Sequence, residues 1–347
     1  MKKLNFGILA VSVALSSTAV IADQELSVVG SWSGLPLHKL YEKPFWTEKM
    51  PAASGGAITA NLTTHDQMGI KGGDVFRMLG EGVFDVGMTV SDYAVSDTPA
   101  LEGLDVPMIA TDAASAKAMV EAARPWVDEI YQEVFNSKVL GISPYPPQVV
   151  FCNAKIGSLA DLKGKKIRAS GRMTGKLLEA LGAEAVNVSF GEVPGALQKG
   201  LVDCAVTGAG SGYSSGWWEV STHLMPIPLG GWDPVVTAIN LDKWNSLSAD
   251  EQSLIKNSVK SDLEAPAWET AQNALTIDVA CLTGVGDCPG DKHSMTLVSV
   301  SDADVKTARD ALISKVLPDW ADRAGGDWAK RWNDTVGQVT GVEIPSN

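Results

Sequence analysis

From Asp23 to Pro144 the apolar positions alternate between short continuous runs and a helical period. Leu26–Val29, Ile58–Leu62 and Phe84–Thr89 read as extended, whereas Lys39–Lys49, Asp74–Leu79 and most of Ala113–Phe135 read as helical. That order predicts a largely parallel sheet covered by helices. The run Pro144-Tyr145-Pro146-Pro147 forbids regular helix and marks a crossover into a second unit, which opens on a strand at Val149–Asn153.

In the second unit Lys166–Ala169 reads as a strand. Thr174 is placed to cap a helix carrying Leu177, Leu178 and Leu181 and ending at Gly182. Ser189 and Glu192 form an S-x-x-E capping box for a helix that Gly200 terminates, and Val202–Val206 follows as a buried strand. Gly230-Gly231-Trp232-Asp233-Pro234 reads as the return crossover, and Val235–Asn240 as a strand back in the first unit. Ser248 and Glu251 make another capping box, opening a helical pattern that runs to about Leu282. At more than 30 residues, or about 50 Å, it is long enough to brace both units. The remainder returns to helix through Asp302–Val316 and ends in Trp320, Trp328 and Trp332, read as packing residues.

One junction occurs twice. Leu79-Gly80-Glu81-Gly82-Val83-Phe84-Asp85 and Leu197-Gln198-Lys199-Gly200-Leu201-Val202-Asp203 both read L-x-x-G, two apolar residues, then Asp. Upstream of each lies the same order of strand, Ser/Gly turn, helix, strand and short helix. Two similar α/β units predict two lobes with a cleft between them. The expected division is 23–145 plus 234–280 for the first lobe and 146–233 plus 281–347 for the second.

Met1-Lys2-Lys3, the apolar run Leu4–Leu15 and the small-residue end Val20-Ile21-Ala22 have the three regions of a secretory signal, with cleavage expected after Ala22. No later segment approaches the ~20 apolar residues needed to span a bilayer, so the chain is not expected to be membrane-embedded. Without residues 1–22 the chain has 26 basic and 41 acidic residues, a net charge of −15. Nucleic acid is therefore an unlikely partner class on charge grounds. In an exported chain, Cys281 and Cys288 bracket a short Gly/Asp loop suited to a disulfide, while Cys152 and Cys204 sit on different predicted strands, either paired or as two buried thiols. His38, His65, His223 and His293 are scattered without zinc-site spacing, and no cofactor is expected.

The chemistry concentrates in Asp161–Asp203, where Arg168 stands at a strand-to-helix transition, a place that favours anion capture. A guanidinium presents a planar fork that matches a carboxylate. DLKGKKIR, LGAEAV, SFGEVPGALQKGLVD and LDKWNSLSADEQ, in this order, with MLGEGVFDVGM and LEGLDVP earlier, resemble the solute-binding proteins of tripartite ATP-independent periplasmic (TRAP) transporters, the C4-dicarboxylate-binding family. The resemblance implies a two-lobed periplasmic-binding-protein fold that closes on an organic acid and delivers it to permease subunits driven by an ion gradient. It implies that Arg168 holds the ligand carboxylate and that Phe190 lines the pocket. A monomer is the expected working unit.

The departures bear on the ligand. Gln148 stands where many members carry a second arginine, and Thr207 where the family usually has an asparagine; Arg172, four residues beyond Arg168, is a candidate to compensate. These changes favour a monocarboxylate, a zwitterion or an aromatic acid over a C4-dicarboxylate. Trp232 on the crossover and Trp32 in the first βα turn are candidate cleft walls, able to stack on a ring or hold a cationic head. Ser91 and Asp92 are the candidate first-lobe contacts. A rival reading is an exported esterase: Gly212-Tyr213-Ser214-Ser215-Gly216 satisfies G-x-S-x-G, with Asp291 and His293 downstream, although a hydrolase elbow needs a strand immediately before the serine. Two further rivals keep the binding role: the binding protein of an ATP-driven transporter, and an extracellular sensor.

Overall fold

The computed structural model describes residues 24–345, so the expected signal segment lies outside the described residues. Two sheets form the frame. The first is built from β1 (Gln24–Gly30), β2 (Ile58–Thr64), β3 (Val86–Val90) and β4 (Ser137–Ser143), the second from β5 (Gln148–Cys152), β6 (Lys166–Ala169), β7 (Glu184–Asn187), β8 (Cys204–Gly208) and β9 (His223–Met225). The chain then returns to the first sheet with β10 (Val235–Asn240) and adds β11 (Thr296–Leu297) to the second. The strand orders are β2-β1-β3-β10-β4 and β11-β9-β5-β8-β6-β7. In the first sheet β1 is parallel to β2 and β3, and β10 runs antiparallel between β3 and β4; in the second, β6 is parallel to β7 and β8 while β5 is antiparallel to β8 and β9. The expected two-lobed, mostly parallel α/β architecture is therefore present.

The repeated junction is a real structural repeat. In each copy the glycine has positive φ, 74° at Gly82 and 65° at Gly200, which lets the helix end and the chain turn into a strand. The following residue, Val83 or Leu201, is exposed, and the next, Phe84 or Val202, is buried. The terminal aspartate then anchors the neighbouring strand: Asp85 Oδ2 accepts from Ser27 N at 2.7 Å and Ser27 Oγ at 2.8 Å, and Asp203 Oδ2 accepts from Lys166 N at 2.8 Å.

The two crossovers lie side by side. Gln148 N donates to Gly231 O and Gly230 N to Gln148 O, each at 3.2 Å, and Tyr145 N reaches Asp233 O at 3.5 Å. A Cβ on Gly230 would lie 2.5 Å from the Gln148 Cβ, so glycine is what permits this approach. The helical path from Ala249 to Thr283 opens on the expected Ser248/Glu251 capping box and contacts both lobes. It is not one regular helix: Ala249–Ser258, Ala265–Ala271 and Ile277–Thr283 are joined by a wider turn at Val259–Glu264 and a tight one at Gln272–Leu275. Gly141 on β4 lets it approach the sheet, since a Cβ there would meet Val259 Cγ1 at 2.8 Å.

Three expectations change. Helix Arg172–Ala180 starts two residues before Thr174, which is buried inside it, with Gly171 at the cap position. Ser189 makes no side-chain cap bond, because the Glu192 amide already bonds to the Ser189 carbonyl at 2.9 Å. The C-terminal segment does not belong wholly to the second lobe. Asp302–Val316 packs on helix Arg172–Ala180, but beyond it Trp320 Nε1 donates to Pro99 O and Trp332 Nε1 to Gly103 O, each at 2.9 Å, tying Leu317–Thr340 to the first lobe. These tryptophans are packing residues, as expected.

Both disulfides form: Cys281–Cys288 as expected, and Cys152–Cys204 between directly opposed positions of β5 and β8. Asp278, in the bracing path, faces Gly210 so closely that a Cβ there would lie 2.5 Å from Asp278 Oδ2. Burial alone pushes the Asp278 carboxyl up to about 6.

Two tests follow from this frame. Asp85→Ala removes the two hydrogen bonds that its carboxylate accepts from Ser27, leaving the one its amide donates to Ser27 Oγ, and is expected to cost about 2 kcal/mol in urea unfolding. The folded pKa of Asp278 exceeds its ordinary 3.8, so its share of stability is complete below about pH 4 and is lost as pH rises through about 6. Asp278→Asn is expected to remove that loss, adding about 2 kcal/mol at pH 8 when unfolding is measured across pH.

Candidate functional site

The lobes enclose a cleft of about 750 Å³. The first lobe lines it with Trp32, Asp66, Asp92 and Tyr93, the second with the turn from Arg168 to Arg172 and the stretch from Ala185 to Phe190. Arg168 is placed by β6, whose Ile167 and Ala169 point into one core while Arg168 takes the opposite face. Its side chain is 3 % exposed, with Nε donating to Val188 O at 3.0 Å and Nη1 to Val206 O at 2.8 Å. Among the described residues it forms no ion pair, and no protein atom accepts from Nη2. Desolvation lowers its pKa, opposed by Tyr93 and Asp233 nearby.

Phe190 and Trp32 meet across the cleft with ring centroids 5.4 Å apart. Phe190 also stacks on Trp217 at 5.4 Å, and Trp32 sits edge-on to His65 at 4.7 Å. An aromatic wall thus spans both lobes beside Arg168. Asp92 crosses the cleft too: its carboxylate lies against Gly171, where a Cβ would come within 1.4 Å of Oδ2, and accepts from the Arg172 backbone amide. Burial nevertheless pushes Asp92 up to about 6.

The other expected residues are placed differently. Arg172 lines the cleft, but its guanidinium is committed to Glu102 and Asp319. Trp232 is buried with Nε1 on Ala110 O at 2.9 Å and lies 6.2 Å from Trp268, a packing position away from the cleft lining. Ser91, Gln148 and Thr207 are buried beneath the cleft rather than lining it. Among the described residues Ser91 Oγ has no hydrogen-bond partner, an unusual state for a buried polar group, and Gln148 faces the Asp233 carboxyl.

Sequence reasoning missed Tyr93 and the pair formed by buried Asp105 and half-buried Asp233. Asp105 Oδ1 accepts from the Asp233 amide at 3.0 Å. Desolvation and mutual repulsion raise Asp105 well above the carboxylate range, and desolvation pushes Asp233 up to about 7 despite the nearby Arg168. Asp233 lies in the crossover motif already singled out for Trp232, so its signal was present. The esterase geometry is not met among the described residues: Ser214 ends helix Ala209–Ser214, six residues after β8 rather than directly on it, and makes no hydrogen bond to His293, which stacks on Trp218 at 3.6 Å.

Residues 36–278, more than two thirds of the chain, match the DctP family, bacterial extracellular solute-binding protein family 7. The chain belongs to that family. Among solved structures it is similar to a Bordetella pertussis extracytoplasmic solute receptor binding pyroglutamic acid, with 20% identity, a TM-score of 0.79, and coverage of 90% of this chain and 99% of that one. It is also similar to a marine metagenome TRAP solute-binding protein specific for aromatic acid ligands, crystallised with 3-hydroxybenzoate, at 25% identity and TM-score 0.77 over 92% of this chain and 98% of that one. A shorter match, 30% identical over 138 residues, is to the ectoine-binding periplasmic protein TeaA of Halomonas elongata, spanning 38% of this chain and 39% of that protein. Family and fold are those of solute receptors rather than enzymes, and among the described residues no helix is long and apolar enough to cross a membrane.

A buried guanidinium without an ion pair costs stability in the family frame as in any other. Arg168→Met is therefore expected to stabilise the ligand-free protein by about 1 kcal/mol in urea unfolding.

Proposed function

We propose that this receptor captures a small cyclic or aromatic carboxylate, with Arg168 Nη2 holding the carboxylate and the Trp32–Phe190 wall holding the ring, and delivers it to an ion-gradient-driven permease from the periplasm. The carrying observation is Arg168: a buried cation in the cleft with one arm unpartnered. A carboxylate there supplies both the missing acceptor and the missing charge. Its desolvated pairing with Arg168 is worth several kcal/mol, because removing either partner leaves the other buried alone. Phe190 and Trp32 are in direct contact at 5.4 Å, closer than the ~7 Å a sandwiched ring needs, so a ligand ring would lie against this wall rather than between its two members.

The acids recorded with similar folds, pyroglutamate, orotate and 3-hydroxybenzoate, are ring carboxylates. Ectoine, named for the partial sequence relative, is a further candidate of this kind. None has a second carboxylate that calls for a second arginine, in keeping with Gln148 and with the engagement of Arg172 elsewhere.

Thermal unfolding of residues 23–347 with pyroglutamate, orotate, 3-hydroxybenzoate, ectoine and succinate tests the reading. A bound acid at 100 times its dissociation constant is expected to add about 2.7 kcal/mol to wild type and nothing to Arg168→Ala. Stabilisation that survives in the variant, or that only neutral compounds produce, overturns the carboxylate anchor.

A further inference from the structure

Arg172, in the second lobe, engages acids outside that lobe through both its backbone and its side chain. Its amide donates to Asp92, Nη1 donates to Glu102 Oε2 at 3.0 Å, and Nη2 donates to Asp319 Oδ2 at 2.6 Å. Glu102 comes from the first-lobe turn Pro99–Leu104 and is fully buried. Asp319 lies on helix Leu317–Ala324, which the Trp320 bond to Pro99 fixes to that same turn. The pairs therefore run from one lobe to the other.

The charges are arranged so that the pairs can break. Glu102 Oε1 is held by Arg323, whose Nη2 also bonds Val95 O at 3.1 Å, so Glu102 keeps a cation when Arg172 leaves. The Asp319 and Arg172 side chains are 41 % and 27 % exposed, so both can rehydrate. No buried charge is stranded when the lobes separate, in contrast with Arg168, whose burial demands a partner. From this we infer that Arg172 is an inter-lobe clasp rather than a ligand contact: it biases the empty receptor toward the closed form, and its release is part of opening. The inference concerns the ligand-free protein and stands independently of the proposed ligand.

The test is pulsed electron paramagnetic resonance on ligand-free protein spin-labelled at Glu48→Cys and Lys199→Cys, exposed positions on the two lobes. In Arg172→Ala the ratio of closed to open distances is expected to fall about fivefold or more, with Arg172→Lys recovering part of it and Asp319→Asn giving a smaller shift in the same direction. Circular dichroism melting checks that each variant folds. Unchanged distances in folded Arg172→Ala overturn the clasp; if that variant does not fold, unchanged distances in Asp319→Asn do so.

Discussion

A charged guanidinium taken out of water must find compensation, and in this protein the compensation for Arg168 is incomplete. A strand carbonyl, Val206, and a loop carbonyl, Val188, satisfy part of its hydrogen bonding, yet among the described residues no carboxylate pairs with it and one arm has no acceptor. In a low-dielectric cleft that deficit is a noticeable fraction of the net stability of a domain. The same deficit is what the proposed capture of an anion at Arg168 rests on. Asp233 and Tyr93 lie near enough to temper the charge without pairing with it.

Holding such a site requires two rigid halves and a means of bringing them together. The repeated glycine-and-aspartate junction sets the strand order in each half, and the paired crossovers keep the connection narrow. Glycines occur where backbone and side chain from different parts must nearly touch, as at Gly141 against the bracing helical path and Gly171 against Asp92. Across the cleft Trp32 meets Phe190, Asp92 meets the start of helix Arg172–Ala180, and Glu102 meets Arg172. Apolar, helix-capping and ionic contacts thus bridge the two lobes together. Their individual modesty suits a receptor, because a closed state stabilised too strongly without ligand would not open to bind one.

Much of this was legible in the sequence. Local rules found β1, β2, β3, β5, β6, β8 and β10, since each is an apolar run bounded by turn residues. β4 escaped because its Ser-Lys-Val-Leu-Gly-Ile-Ser run follows a long helix without a turn signal and contains a glycine. Arg168, Phe190, Trp32 and Asp92 were found because turn and junction positions carry cleft residues. What pattern does not reveal is long-range partnering. Arg172 was read as a ligand contact because Glu102 and Asp319 lie 70 and 147 residues away in sequence. Trp232 was read as a wall because sequence does not show that its indole reaches the carbonyl of Ala110. The cap on helix Arg172–Ala180 was sought in its own chain segment and comes instead from the other lobe.

The most direct measurement is the crystal structure of residues 23–347 with the carboxylate that stabilises the protein most. The account predicts that carboxylate within hydrogen-bonding distance of Arg168 Nη2, between closed lobes, with Nε still on Val188 and Nη1 still on Val206. A ligand carboxylate held elsewhere in the cleft, with Arg168 turned only to the two carbonyls, would contradict it.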